Sequence, residues 1–318
     1  GFDFDGAPAV DMFRLTFRDC SNLTGPIPSG LFGNISGAPA SYMFDSTFYG
    51  CGNLTGSIPS GLFGNISGTP AVNMFYGTFY NCSNLAGSIP SDLFGNISGP
   101  PATFMFCNTF SGCGNLTGSI PSGLFGNLSG ACRFYMFYGT FDGCGNLTGS
   151  IPSGLFGNIS GAPATGMFFH TFRDCSNLTG SIPVGLFGDI SGAPASTMFR
   201  ETFQNCSKLT GSIPSGLFGN ISGAPADGMF SGTFQNCSNL TGSIPVGLFG
   251  DISGAPAGYM FYGTFQNCSN LTGESALMPD GTTHLYEQFP TASGTDCDNC
   301  YNGATGLSDY ATIPEAWK

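Results

Sequence analysis

The sequence predicts an elongated, curved α/β solenoid, and three observations carry that reading. A 31-residue unit recurs nine times between residues 6 and 273, and a period in that range marks stacked coils, not one globular core. Nine cysteines, Cys20, Cys51, Cys82, Cys113, Cys144, Cys175, Cys206, Cys237 and Cys268, stand 31 residues apart without a slip. Twenty-six of the 32 phenylalanines and nine of the ten methionines fall in four columns of the unit, and apolar columns repeated in this way form a core. The chain divides into a short N-terminal segment (1–5), nine strand–loop–helix coils (6–273) and a C-terminal capping segment (274–318).

The unit from Gly37 to Ser67 shows how each coil is read. Ala40, Met43, Phe44, Thr47, Phe48 and Cys51 fall at offsets 0, 3, 4, 7, 8 and 11, the spacing of one face of an α-helix. Pro39 suits a first helical turn, with Ser36 and Gly37 in the cap region, so a helix is expected over 38–51. In Asn53 to Pro59, Leu54, Gly56 and Ile58 alternate with Thr55 and Ser57, which predicts a short strand with one face inward. Leu62, Phe63 and Ile66 then return the chain through glycines and an asparagine turn.

Helices pack about 8–10 Å apart and strands about 4.8 Å apart. That mismatch bends a stack of such coils by on the order of 20° each, with the sheet inside the bend. The same helix spacing keeps the ladder cysteines beyond disulfide reach, as buried free thiols.

Charged residues make up 8% of the chain and the net charge is −12. Nucleic acid and anionic membrane both demand a basic patch, and none is present. No run of 18 apolar residues exists, so no membrane insertion is expected. Scarce lysine, abundant Gly, Ser, Thr and Asn, and four cysteines outside the ladder point to a secreted or cell-surface protein.

The strings Thr-Phe-Tyr-Gly-Cys-Gly-Asn-Leu-Thr-Gly-Ser-Ile-Pro (Thr47 to Pro59) and Met-Phe-Tyr-Gly-Thr-Phe (Met74 to Phe79) resemble leucine-rich repeats of the BspA type. There an aromatic-x-x-Cys-x-x-Leu segment leads into a short strand ending near Ile-Pro. The unit is longer than is usual in that family, and Leu-Thr-Gly-Ser-Ile-Pro also echoes plant-type leucine-rich repeats. The resemblance implies a curved leucine-rich-repeat solenoid on a bacterial or protist cell surface, adhering to or binding partners, with no catalytic residues to carry over.

Variation between copies concentrates on six positions per coil: Val10, Asp11, Arg14, Leu15, Arg18 and Asp19 in the first, Thr165, Gly166, Phe169, His170, Arg173 and Asp174 in the sixth. This outward helix face holds Arg14, Arg18, Arg133, Arg173 and Arg200 together with Tyr42, Tyr49, Tyr76, Tyr80, Tyr138 and Tyr262. It reads as a solvated convex surface free to drift, or as an aromatic and arginine-rich recognition face. The strand face is Thr-x-Ser-x-Pro in nearly every coil, which suits a repetitive partner: a polysaccharide, a copy of itself, or ice, the last disfavoured by a curved sheet. Sequons recur, but Asn84 persists beside Ala86, and Asp189 and Asp251 replace asparagine. Those columns therefore call for a hydrogen-bonding turn residue.

Cys107 and Cys132, each unique in its column, are expected to form a disulfide between adjacent coils, and Cys297 and Cys300 a local one. A zinc site fails for want of a second cysteine pair. No nucleophile motif, histidine–carboxylate cluster or phosphate loop is legible, so neither catalytic residue nor cofactor nor metal is assigned.

Solenoid ends need covering. Tyr286, Phe289 and Trp317 lie in a segment able to cap the C-terminal end, whereas only five residues precede the first coil, with Phe2 and Phe4 near Phe13 and Phe17. Two functions follow as expectations. One is a non-enzymatic extracellular structural protein whose copies join end to end in a filament or matrix; the other is an adhesin for a host glycan or surface protein.

Overall fold

The computed structural model describes residues 5–318, so Phe2 and Phe4 lie outside the described residues. Short strands occur at β1 (Asp5–Gly6), β2 (Asn34–Gly37), β3 (Asn65–Gly68), β4 (Asn96–Gly99), β5 (Asn127–Ala131), β6 (Asn158–Gly161), β7 (Asp189–Gly192), β8 (Asn220–Gly223), β9 (Gly242–Ser243), β10 (Asp251–Ile252) and β11 (Leu271–Thr272). Nine of them form one parallel sheet, β1 to β8 and then β10, in chain order; β9 and β11 pair separately. The nine sequence copies thus make a β-solenoid of about eight turns. Among the described residues the α-helix is α1 (Leu285–Gln288), in the tail.

The expected helix over 38–51 is absent, and a ribbon of consecutive turns takes its place. Alternate amides close four-residue turns within the coil, Met43 to Ala40 at 3.4 Å, Asp45 to Tyr42 at 3.2 Å and Thr47 to Phe44 at 3.3 Å. The amides between them reach the next coil: Tyr42 to Val72 at 3.0 Å, Phe44 to Met74 at 3.0 Å, Ser46 to Tyr76 at 2.7 Å, Phe48 to Thr78 at 2.8 Å. Tyr42, Ser46 and Gly50 have φ of 59°, 53° and 73°, the left-handed value that a type II turn requires at its third residue and an α-helix excludes. A four-residue turn sends its first and fourth residues inward, generating the same 0, 3, 4, 7, 8, 11 spacing as a helix. Phe, Thr, Tyr, Asn and Gly are poor helix formers, and the ribbon lets half its amides bond along the stack.

The strand also lies elsewhere than expected. Asn34–Gly37 and its equivalents form the sheet, with Ile35 and Ile66 buried between exposed polar neighbours. The Leu-Thr-Gly stretch makes single bridges, such as Gly25 to Leu54 and Gly87 to Leu116, because Gly56 at φ 76° turns the chain out of the extended form. Neighbouring coils meet closely at the glycine before each strand: Gly126, at φ 71°, sits where a Cβ would collide with the carbonyl of Ile97 in the preceding strand.

The predicted curvature fails with the helix that motivated it. All three sides of a coil bond to their neighbours through the main chain: ribbon, Leu-Thr-Gly stretch and sheet. Each side therefore adopts the spacing of a parallel sheet. Phenylalanine rings repeat at 5.6, 5.7 and 5.7 Å on the ribbon side (Phe44–Phe75, Phe75–Phe106, Phe137–Phe168). Beside the sheet they repeat at 6.1, 6.0 and 6.0 Å (Phe63–Phe94, Phe125–Phe156, Phe156–Phe187). A difference of tenths of an ångström replaces the expected ~4 Å, so the stack is nearly straight.

The phenylalanine columns are the core, as expected, with the central rings fully buried. Buried polar groups are satisfied across coils: the Thr47, Thr109 and Thr202 hydroxyls donate to the carbonyls of Phe13, Phe75 and Phe168 at 3.0 Å. Cys82 and Cys113 thiols donate to the Phe48 and Phe79 carbonyls at 3.0 Å. Residues 274–318 pack on the last coil. Their segment 296–302 imitates another ribbon, its carbonyls accepting from Phe261, Gly263, Phe265 and Asn267, and Tyr301 stacks on Phe265 at 5.6 Å.

Candidate functional site

The variable positions all fall on the ribbon, at the two outward corners of each turn. Tyr49 stacks on Tyr80 at 4.5 Å, Tyr76 meets Phe104 edge-on at 6.1 Å, and Tyr138 meets Phe169 edge-on at 5.0 Å. Tyr262 stands apart at the far end, beside Tyr259 at 5.9 Å. Arg14 lies over Tyr42 at 4.9 Å and Arg18 over Tyr49 at 4.7 Å, while Arg200 covers Phe169 at 5.3 Å. Most of the sequence-predicted face is thus brought together, but Tyr262 stands apart, and Arg133 falls in the column of Ala40, Ala71 and Ala102 and not at an outward corner.

Its arginines are already engaged. Arg173 grips Asp142 through two bonds of 2.8 Å, and Arg14 reaches Asp45 at 3.2 Å. Glu201 gathers His170 at 2.7 Å, Arg200 at 3.0 Å and Arg173 at 3.5 Å. Burial alone would raise the Glu201 pKa, but the hydrogen bonds and charges of His170 and Arg200 outweigh it and hold the carboxyl at about 2. At Asp45 burial wins and its pKa is raised, against the Ser46 hydroxyl and Arg14. Arg133, in the coil that has lost its proline, has no carboxylate partner among the described residues. Sequence reasoning missed these pairs because it read along the chain. Their signal lies down the columns, where Asp142 and Arg173, His170 and Glu201, and Arg14 and Asp45 are each 31 residues apart.

A second face is a groove beside the sheet. One section of about 560 Å³ is lined by Gly30, Gly61, Gly64, Asn65, Gly95 and Asn96, among others. A section of about 480 Å³ at Asn127 and Asn158 continues it, and a separate one of about 530 Å³ lies further along at Asn220 and Asp251. The groove asparagines are exposed. The other asparagine column bonds between coils, as expected of a turn residue: the Asn53 and Asn177 amides donate to the Ser21 and Gly145 carbonyls at 2.7 Å.

The cysteine pairings expected outside the ladder do not form: all thirteen cysteines are free. Cys132 occupies the proline column and Cys107 the column of Tyr76 and Tyr138, six positions apart in the coil. Cys297 and Cys300 both turn into the core, and Cys297 donates to the Ala316 carbonyl at 3.2 Å. Burial raises the ladder thiols, Cys51 to about 11 and Cys268 to about 12.

The proposed assembly residues are largely used within the chain. Phe289 and Trp317 are buried, 6.3 and 6.1 Å from Phe261; Tyr286 stacks on His284 at 4.9 Å. Phe13 is 3% exposed and Phe17 partly buried. The first ribbon nevertheless presents the carbonyls of Val10, Met12, Arg14, Thr16 and Arg18, to which no described residue donates.

The tail also joins residues that the sequence left apart. Ser275 Oγ donates to Asp309 Oδ2 at 2.6 Å and lies 2.9 Å from His284 Nδ1. With its only proton given to Asp309, the hydroxyl must accept from the imidazole, the reverse of what an activated nucleophile needs. Ser275 is also 1% exposed, so the trio fastens the tail.

No family model matches the chain, and no curated protein does. Among solved structures it is similar to the plant peptide hormone receptor RGFR1 in complex with RGF2, at 16% identity, covering 86% of this chain and 61% of that one, with a TM-score of 0.14. It is likewise similar to the PEPR1–AtPEP1 crystal structure, at 16% identity, covering 81% of this chain and 51% of that one, with a TM-score of 0.14. The chain thus spans less than two thirds of either neighbour. Likenesses at that score carry no argument about function, and the solenoid rests on its own hydrogen bonding.

Proposed function

We propose that this chain is a non-enzymatic, secreted or cell-surface adhesin that binds an extended, uncharged polysaccharide along its repeat faces. The groove of glycines and exposed asparagines carries the reading: it offers the same amide at Asn34, Asn65, Asn96, Asn127, Asn158 and Asn220, with aspartate in its place at Asp189 and Asp251. A partner that meets the same amide in most coils is itself repetitive. Amides without charge suit hydroxyls better than phosphates or carboxylates, and the net charge of −12 repels acidic polymers. The resemblance to BspA-type repeats supports a surface setting. The test is retention on immobilised neutral polysaccharides: Asn65→Leu with Asn96→Leu should weaken retention by about tenfold. Unchanged retention in that variant, or binding only to acidic polymers, removes the reading.

End-to-end self-assembly into a filament or matrix is a second reading, favoured by the five carbonyls of the first ribbon to which no described residue donates. The donors that would complete that acceptor row, the amides of Phe261, Gly263, Phe265 and Asn267 in a second copy's last coil, are held by that copy's own segment 296–302, so the contact requires the segment to lift away. Sedimentation across a concentration series tests it, and a monomer throughout ends it.

A further inference from the structure

The Leu-Thr-Gly side of the solenoid carries a row of threonines at Thr24, Thr55, Thr117, Thr148, Thr179, Thr210, Thr241 and Thr272, interrupted at Ala86. All eight are exposed. Main-chain bonds fix their spacing: Thr117 to Gly87 at 2.9 Å, Thr148 to Gly118 at 2.8 Å, Thr179 to Gly149 at 2.9 Å, Thr210 to Gly180 at 2.9 Å. Beside it runs a second exposed row, Ser57, Ser88, Ser119, Ser150, Ser181, Ser212 and Ser243.

The two threonine columns of the chain behave in opposite ways. The buried one, from Thr47 to Thr264, spends its hydroxyls on phenylalanine carbonyls. The exposed one has no side-chain hydrogen bond among the described residues, so its hydroxyls contribute nothing to holding the coil. Recent duplication alone does not account for their sameness, because the ribbon face of the same copies has diversified to Arg, Asp, Tyr, Phe, Gly and Ser. From Thr24 to Ser243 the Thr-Gly-Ser-Ile-Pro stretches contain no charge, and the charges nearest the row are Lys208, before Thr210, and Glu274, after Thr272.

We infer that this row binds the surface of ice. A rigid, uncharged rank of hydroxyls, repeating at the ~4.8 Å of a parallel sheet, holds first-shell waters at equal intervals, while the threonine methyls between them leave those waters few other partners. A ligand that matches must be periodic on the ångström scale, uncharged and able to accept and donate at every site, and crystalline water meets all three conditions. Flatness is the remaining demand. The main-chain bonds of 2.8 to 2.9 Å that tie the Thr117, Thr148, Thr179 and Thr210 amides to the coil before each hold the row in step. The small difference in ring spacing across the core keeps it close to flat over the few coils that meet one facet, where the curvature expected from the sequence would not. This site is separate from the asparagine groove.

The experiment is inhibition of ice recrystallisation by the whole chain, with an albumin control at equal mass. The wild type should suppress crystal growth where the control does not. Thr148→Tyr with Thr179→Tyr should raise the half-effective concentration by about tenfold or more, with the circular dichroism unchanged, while Asn127→Leu with Asn158→Leu in the groove should leave it in place. Wild type no better than albumin overturns the inference without any variant. So does loss of activity in the groove variant alone, or threonine-dependent adsorption to microcrystalline cellulose without an effect on ice.

Discussion

Thr109 shows how a single column is held. Its hydroxyl is fully buried and donates to the Phe75 carbonyl at 3.0 Å, so Thr109→Val keeps the shape and removes one hydrogen bond. The expected loss is about 1 kcal/mol, read from the urea midpoint. Phe110 is enclosed by Phe79 and Phe141, each 5.7 Å away. Phe110→Ala should cost about 3–5 kcal/mol, and equal losses at the two positions would contradict the ring stack. Glu201 ionises at lower pH when folded than when unfolded, so its contribution is complete above 4.5 and is lost as pH falls towards about 2. Thermal melts across that window should fall more steeply for the wild type than for Glu201→Gln. The pairs behind this shift were legible in principle, since column-mates in neighbouring coils touch, but that rule requires knowing that the coils stack in register.

At the scale of the element, the ribbon is where sequence reading went astray. The inward positions were found, because helix and turn ribbon share them, and so the phenylalanine core was found with the wrong backbone around it. The discriminating signal sits at the third turn corner, where Asp19, Gly50, Asn81, Gly112, Gly143, Asp174, Asn205, Asn236 and Asn267 are all residues that tolerate a left-handed backbone. A helix over 38–51 would call for such a residue only at its end, whereas Tyr42 and Ser46, at φ 59° and 53°, hold the same conformation within it. The Asn-Ile-Ser strand was overlooked because four residues are too few for alternation to stand out. Gly123 and Gly126 separate conformation from contact: φ is 72° and 71°, but a Cβ meets nothing at Gly123 and strikes the Ile97 carbonyl at Gly126. Gly123→Ala should therefore cost about 1 kcal/mol and Gly126→Ala clearly more, as measured by chemical denaturation.

For the whole molecule, the solenoid class and the covering role of the tail could be read from the repeat and its end, while straightness could not. Straightness follows from hydrogen bonds on all three sides of the coil, which no periodicity reveals. Thiol chemistry reports the global packing: Cys20 is exposed and the other twelve cysteines are buried. A thiol reagent should label Cys20 alone in the native chain and the rest after denaturation; early labelling of Cys113 or Cys144 would mean a looser stack. Removing 274–318 should uncover the Phe261 and Phe265 rings and strip the acceptors from four amides. Hydrogen exchange should then quicken in the last coils first and leave the middle protected.

Near-identity between coils has a cost in addressing. The bonds that join Tyr42 to Val72 would join it almost as well to the equivalent carbonyl one coil further on, with a spare unit looped out. Such slipped isomers differ from the native chain mainly by one loop closure, a penalty that grows only slowly with length. The marks that tell one coil from another are few: the fifth copy, which lacks the Ala-Pro-Ala of most others, the ion pairs around Glu201, and the tail, whose carbonyls lie 35 residues beyond their donors where every earlier ribbon step spans 30. Folding therefore has one terminal bookmark and two internal ones, and the pages between are interchangeable. Excision of one whole unit, residues 207–237, should leave a shorter protein that still closes its tail on its last coil.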